Sequence, residues 1–203
     1  KIMGCAKREA NIAYLCNKLN LSFSDVAMDW AMSGNPLHTS MQAFRMPHEV
    51  GITHRCVIQD DIDICEDFSS FINTLVESYP QSVFSLYCQT SKLLNYADGT
   101  IMPTGGAVHA PAIIMPLALI EDIYNQWQAT CPDYIHDDRY YSRYFKQHGI
   151  QVLTTKPCLL TLTDMPSELK HNGMFKNIAY SPSSPMGLVW HYDKHSLHKS
   201  AEK

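Results

Sequence analysis

The sequence has seven cysteines, at positions 5, 16, 56, 65, 88, 131 and 158, but no C-x-x-C pair among them. An odd, irregular set lying partly inside apolar runs argues against a disulfide framework or a zinc site. It is read as reduced thiols packed as small hydrophobes. No apolar run approaches the roughly 18 residues of a membrane span. The opening "KIMGCAKREA" is too short and too charged for a secretory signal. Together these absences set the expectation of a cytoplasmic protein. G-x-G-x-x-G, Walker A, H-E-x-x-H and G-x-S-x-G are all missing, which removes the commonest dinucleotide, P-loop, zincin and hydrolase sites. Charge is sparse as well. Charged residues make up 18% of the chain and the formal net charge is −4, so there is no general attraction to a nucleic-acid backbone.

What remains is an ordinary globular composition, 45% apolar over 203 residues, enough for one domain with a sizeable core. Strand-like and helix-like segments alternate along it. "IMGC" is short and apolar, and in "REANIAYLCNKL" Ile12, Leu15, Cys16 and Leu19 form a helical stripe. "DVAMDW" reads as a strand and "NPLHTSMQAFRM" as a helix opened by Asn35 and Pro36. "HRCVIQ" is a strand, and "EDFSSFINTLVESY" is a helix with Phe68, Phe71, Ile72, Leu75 and Val76 on one face. "SVFSLYC" and "IQVLTT" complete the strands. "MPLALIEDIYNQWQ" and "DDRYYSRYFKQHG" complete the helices, the last capped by Gly149. This order predicts a single α/β domain, Rossmann-like, with a mostly parallel central sheet flanked by helices. Residues 96–114, rich in Gly, Pro and Ala, read as an irregular loop with at most a short strand. The catalytic domain is expected over 1–175, with an irregular segment over 176–203 packed on it or trailing from it.

One stretch carries most of the chemistry. "THRCVIQDDIDICEDF" ends an apolar strand in Asp60, Asp61 and Asp63, with Glu66 and Asp67 close behind. Ligands of open α/β sheets bind beyond the carboxyl ends of strands. Crowded carboxylates there repel one another unless something positive sits among them, most simply Mg²⁺ or Mn²⁺ held by hard oxygen ligands. The competing account is a helix start, with Asp63 or Asp67 as N-cap and the other acids solvated.

"RCVIQDDIDICEDF" resembles the strand and acidic motif of GT-A fold glycosyltransferases, in which an apolar strand ends in a DxD or (E/D)DD signature. The resemblance implies a divalent cation, Mn²⁺ or Mg²⁺, bridging the acids to the diphosphate of a nucleotide-sugar donor such as a UDP-sugar. Two registers fit, Gln59-Asp60-Asp61 and Asp61-Ile62-Asp63, and Asp61 belongs to both. Two further segments follow in the order of that family. "DYIHDDRYYSRYFKQHGIQVLTTKPCLL" is similar to the late acidic helix and strand, which implies that Asp138 or Asp137 is the general base of an inverting transfer. "MPSELKHNGMFKN" is similar to a later element that carries Pro166, Ser167 and His171, with His171 near the metal.

By order along the chain, the resemblance also implies Arg8 and Asp29 as nucleotide contacts beside Asp60, and a loop at Gly105-Gly106 that lets a sugar approach the backbone. The acceptor it leaves open: a glycan, a protein or a modified DNA base, the last consistent with the modestly cationic, aromatic "HYDKHSLHK". Nucleotidyl transfer on a similar sheet and a non-catalytic binding module are the rival expectations.

Overall fold

The computed structural model describes residues 1–88, 90–163 and 179–195. In chain order the strands are β1 Ile2–Cys5, β2 Val26–Asp29, β3 His54–Gln59, β4 Ile62–Ile64 and β5 Val83–Ser85. They continue as β6 Thr100–Pro103, β7 Ala112–Pro116, β8 Val152–Lys156, β9 Leu160–Leu162 and β10 His191–Tyr192. The helices are α1 Glu9–Leu19, α2 Pro36–Arg45, α3 Phe68–Ser78, α4 Leu117–Thr130 and α5 Asp137–Gln147.

Eight strands make one sheet in the order β10-β6-β8-β5-β7-β3-β1-β2, and β4 pairs with β9 as a separate ribbon. Strands β2, β1, β3, β5 and β8 run one way. β7 runs against β3 and β5, and β6 against β8 with β10 parallel to it. The architecture is the expected mostly parallel α/β sheet in a single Rossmann-like domain.

Both faces of this sheet are covered, and period-2 alternation along each strand divides its side chains between them. Ile2, Val26, Ile58, Phe84, Ile114 and Leu153 pack with Ile12 and Leu15 of α1 and with Phe68, Phe71 and Leu75 of α3. Their neighbours Met3, Ala27, Val57, Val83, Ile113 and Val152 point the other way, toward Leu37 and Phe44 of α2, Ile123 and Trp127 of α4, and Tyr141 and Phe145 of α5. Doubly covered strands need to be apolar on both faces, which is why "CVI", "VF" and "AIIM" read as continuous runs. Each fully buried Ile, Leu or Phe in these clusters contributes about 1.5–3 kcal/mol of apolar transfer.

Local signals operate as read at several ends. The Asn35 side chain accepts the His38 N–H at the start of α2, with Pro36 in the first turn. Gly149 takes a left-handed φ of 63° just beyond α5.

The 96–114 stretch departs from its reading as a loop. It holds the whole of β6 and the first residues of β7, and β7 is an interior strand between β3 and β5. Pro103 within it, and Pro116 just beyond it, stand at strand ends, where a missing N–H interrupts no interior ladder. Of the C-terminal segment, residues 179–195 belong to the same domain. His191 N–H donates to the Gly99 carbonyl, β10 pairs with β6, and the Trp190 ring lies 4.5 Å from that of Phe71 on α3.

Candidate functional site

β1, β2 and β3 end side by side. Cys5 is in register with Asp29, and Met3 with Gln59, so the turns that follow these strands share one edge of the sheet. Beyond β1 a short 3₁₀ turn over Ala6–Arg8 leads into α1, and it brings Arg8 across the end of β3. The Arg8 Nη1 donates to Asp60 Oδ1 at 2.7 Å and lies 3.0 Å from Asp61 Oδ2. The other Asp60 oxygen accepts the Cys5 N–H at 2.7 Å. Asn11, one turn along α1 from Arg8, donates from its side chain to the Asp60 carbonyl. Gly4 permits this closeness. A Cβ there would stand 2.6 Å from the Ile12 Cδ1 and 3.4 Å from Asp60 Oδ2.

The adjacent acids therefore have a resident counter-ion, supplied by the chain itself. Asp60 spends both oxygens, whereas Asp61 keeps Oδ1 buried with no hydrogen-bond partner. Burial pushes the Asp61 carboxyl up from its ordinary value, Arg8 opposes that, and Asp60 adds to it. Burial also works against the charge of Arg8, but Asp61 and Asp60 outweigh it and hold its pKa above the ordinary value. One guanidinium facing two carboxylates leaves the group with one negative charge in excess if both are ionised.

Asp63 is separated from this pair. It sits in β4 with partners of its own: Tyr14 Oη at 2.8 Å, Lys18 Nζ at 2.9 Å and its neighbour's Ile64 N–H. Burial raises its pKa, but the hydrogen bonds from Lys18 and Tyr14 win and the net shift is downward. Among the described residues no three His, Cys, Asp or Glu side chains converge as a metal cage. His171, Pro166 and Ser167 lie outside the described residues. A single carboxylate still fits Mg²⁺ or Mn²⁺, because such ions are commonly held by one or two carboxylates plus substrate phosphates. Of the Asp60–Asp61 pair, Asp61 Oδ1 is the oxygen without a hydrogen-bond partner.

Asp29 ends β2 at the same edge, but its carboxylate is turned onto its own loop. Oδ1 accepts the Ser33 N–H and Oδ2 the Ser33 hydroxyl, both at 3.0 Å. The loop so closed carries Trp30, 66% exposed, and Met32 in a left-handed conformation at φ 49°. The acid shapes the loop, and the exposed indole is its presented surface.

The two candidate bases differ sharply. α5 leads into β8, which runs with the parallel set, so the helix starts at the carboxyl edge. Asp137 is 5% exposed, and its Oδ1 accepts the Asp138 N–H. Its Oδ2 is buried without a partner. Burial pushes its pKa up to about 7. Asp138 is half-buried and takes the Arg139 N–H, an ordinary first-turn acid.

Gly105 and Gly106 lie at the other end of the sheet. Thr104 N–H donates to the carbonyl of Val152, the first residue of β8, and a Cβ on Gly106 would stand 2.7 Å from Cγ of Lys146 in the last turn of α5. Gly106 serves a close helix contact, and both glycines are remote from the acids.

Thus Arg8, Asp60 and Asp61 are brought together, with Asp29 and Asp137 at the same edge, while Asp63 and the Gly pair are set apart. Asn11 escaped the sequence reading. The available signal was its place in the first turn of α1, directly after the turn that carries Arg8. No protein-family model matches the chain, and no curated protein is similar to it.

Proposed function

We propose that the protein is a glycosyltransferase that moves a sugar from a nucleotide-sugar donor to an acceptor hydroxyl with inversion, using a divalent cation. The observation that carries this reading is the partnerless buried oxygen of Asp61, in an acid pair at the carboxyl edge of a parallel sheet. The resemblance of "RCVIQDDIDICEDF" to the GT-A motif supports it. Asp61 would hold Mn²⁺ or Mg²⁺, and when bound that ion supplies charge stabilisation to the departing diphosphate. Asp60 and Arg8 fix the orientation of Asp61, and Trp30 offers a flat apolar surface at the same edge for a base.

Asp137 is the better general base. Its ionised Oδ2 takes the proton of the acceptor hydroxyl as that oxygen bonds to the anomeric carbon, while the bond from that carbon to the nucleoside diphosphate breaks with its electron pair. A pKa of about 7 matches a base to neutral pH.

Screening nucleotide sugars for slow hydrolysis in Mn²⁺ tests this without knowing the acceptor. The expected result is release of nucleoside diphosphate from one donor, stopped by chelator and by Asp61→Asn. Pyrophosphate release instead would indicate nucleotidyl transfer. One observation favours a second reading: Arg8 already neutralises half of the acid pair, as a purely structural ion pair would. Absence of any nucleotide or Mn²⁺ binding would decide for that.

A further inference from the structure

The sheet face covered by α1 and α3 is not filled everywhere. A cavity of about 670 Å³ lies between the two helices over β3, near the amino edge of the sheet where His54 begins that strand. Its walls are Leu19 and Leu21 at the end of α1, Cys56 and Ile58 of β3, and Phe68 and Ile72 of α3. Protein interiors pack with few voids larger than a water, so an apolar space of this size forfeits contacts that other side chains would make. Leu19, Leu21, Cys56 and Ile72 accordingly stay only partly buried. The volume falls inside the roughly 300–1,000 Å³ of small-molecule sites, which are likewise concave and mostly apolar. On its open side the loop between α2 and β3 presents two exposed apolar residues, Ile52 in the lining and Val50 beside it.

Charge decides what can enter. Lys1, at the rim, pairs its ammonium with Asp25. Arg55 turns its guanidinium away onto α2, on the other face of the sheet, where it donates to the carbonyls of Ala43, Met46 and Pro47. His54 Nδ1 is taken by Thr53 Oγ1. Burial lowers the pKa of that ring against a hydrogen bond to the Pro80 carbonyl, so it is neutral at pH 7. His48 and Glu49 are exposed neighbours of opposite tendency on the open side. A charged ligand group inside would be desolvated without a counter-ion, at a large cost. We propose that this cavity is a binding site for an uncharged, mainly apolar small molecule with a hydroxyl head, of the long-chain alcohol class. The alkyl body fills the space between α1 and α3. Ser69 and Asn73, exposed on α3 at the open side, offer partners to a hydroxyl, which both donates and accepts. The cavity borders the start of β3 and the acids follow its end, so the site is independent of the sugar-transfer reading.

The test is titration of the whole chain with N-phenyl-1-naphthylamine, an uncharged dye that brightens in apolar sites. Wild type should bind the dye saturably, and decan-1-ol should displace it. Decanoate and decylamine share the alkyl body but carry a charge, so each should displace the dye about tenfold more weakly or worse. Ile72→Trp places an indole in the space. It should weaken dye binding by about tenfold or more without lowering the melting temperature, because it fills a void instead of crowding packed atoms. Leu21→Phe narrows the same space from the α1 side and takes over the test if Ile72→Trp does not fold. Asp61→Asn should bind the dye as wild type does.

Four results would overturn the proposal. Without saturable dye binding by wild type the cavity is no ligand site, and this needs no variant to fold. If decanoate or decylamine displaces the dye as well as decan-1-ol does, the occupant is charged. If dye affinity is unchanged in folded Ile72→Trp or Leu21→Phe, the dye sits elsewhere. If Asp61→Asn loses dye binding, the site belongs to the carboxyl edge.

Discussion

Two acids separated by one residue behave as unlike groups, and the difference is measurable. Asp63 is paired at the surface with Lys18 and Tyr14, so Asp63→Asn should cost under about 1 kcal/mol in urea unfolding. It should leave Mn²⁺ binding unchanged, in contrast to Asp61→Asn. A loss of Mn²⁺ affinity in Asp63→Asn would restore the Asp61-Ile62-Asp63 register.

Asp137 gives the clearest pH prediction. Its carboxyl is raised from 3.8 to about 7 by burial, so between those values the folded chain keeps a proton that the unfolded chain has released. The group's contribution to stability is therefore full below about pH 4, is lost as pH rises through about 7, and changes no further above that. Asp137→Asn should remove this slope from a series of unfolding free energies across pH 5 to 8. As a base the residue must be ionised, so wild-type turnover should rise over the same range. Asp137→Asn should lower it by about 10²–10⁴-fold with donor affinity kept. If Asp138→Asn gives that loss instead, the base has been assigned to the wrong neighbour.

At the scale of elements, the helices are held by groups that lie far from them in sequence. Arg55, in β3 and 4% exposed, donates to the carbonyls of Ala43, Met46 and Pro47, closing the end of α2. Burial lowers its pKa, yet three acceptors satisfy its donors. Arg55→Met keeps the apolar stem and leaves those carbonyls unpaired. It should cost about 2–3 kcal/mol in denaturant unfolding while sparing Mn²⁺ affinity, because Arg55 stands near the start of β3 and the acids follow its end. A cost near zero would mean that water replaces the guanidinium. The start of α5 is set in a comparable way. Leu37 N–H donates to the Ile135 carbonyl and Ser40 shares a 2.6 Å hydrogen bond with Tyr141, so α2 fixes where Asp137 enters the edge.

Across the whole molecule, the C-terminal residues close the far side of the sheet. Trp190 covers Phe71, its Nε1 donates to the Pro185 carbonyl at 3.0 Å, and Tyr192 lies against Tyr79. A domain with that seam should melt in one transition. Trp190→Ala should lower stability by about 2 kcal/mol, less than a fully buried Trp because the ring is only half-covered. That corresponds to a fall in melting temperature of roughly 4–8 °C. Calorimetry resolving a separate early transition would show that β10 and its neighbours are an independent unit.

The sequence by itself determined the elements whose cause is local. The helical stripes of α1 and α3 were legible, as were Asn35 and Pro36 at the start of α2, Gly149 after α5 and the apolar run of β3, because period, caps and turn chemistry act within a few residues. It also placed Asp60 and Asp61 at a strand end, since an apolar run followed by acids needs no partner to be recognised. The tertiary structure decided the rest. β7 was hidden in a Gly- and Pro-rich stretch because an interior strand is stabilised by β3 and β5, which no local window contains. Asp61 and Asp63 look equivalent in sequence. They part because Lys18 and Tyr14 reach one, while Arg8 reaches the other. Asp137 and Asp138 look equivalent too, and only the packing of α5 on α2 buries the first and leaves the second half-buried. Burial and charge neighbourhood are properties of positions in space, so they separate adjacent residues that composition and spacing treat alike.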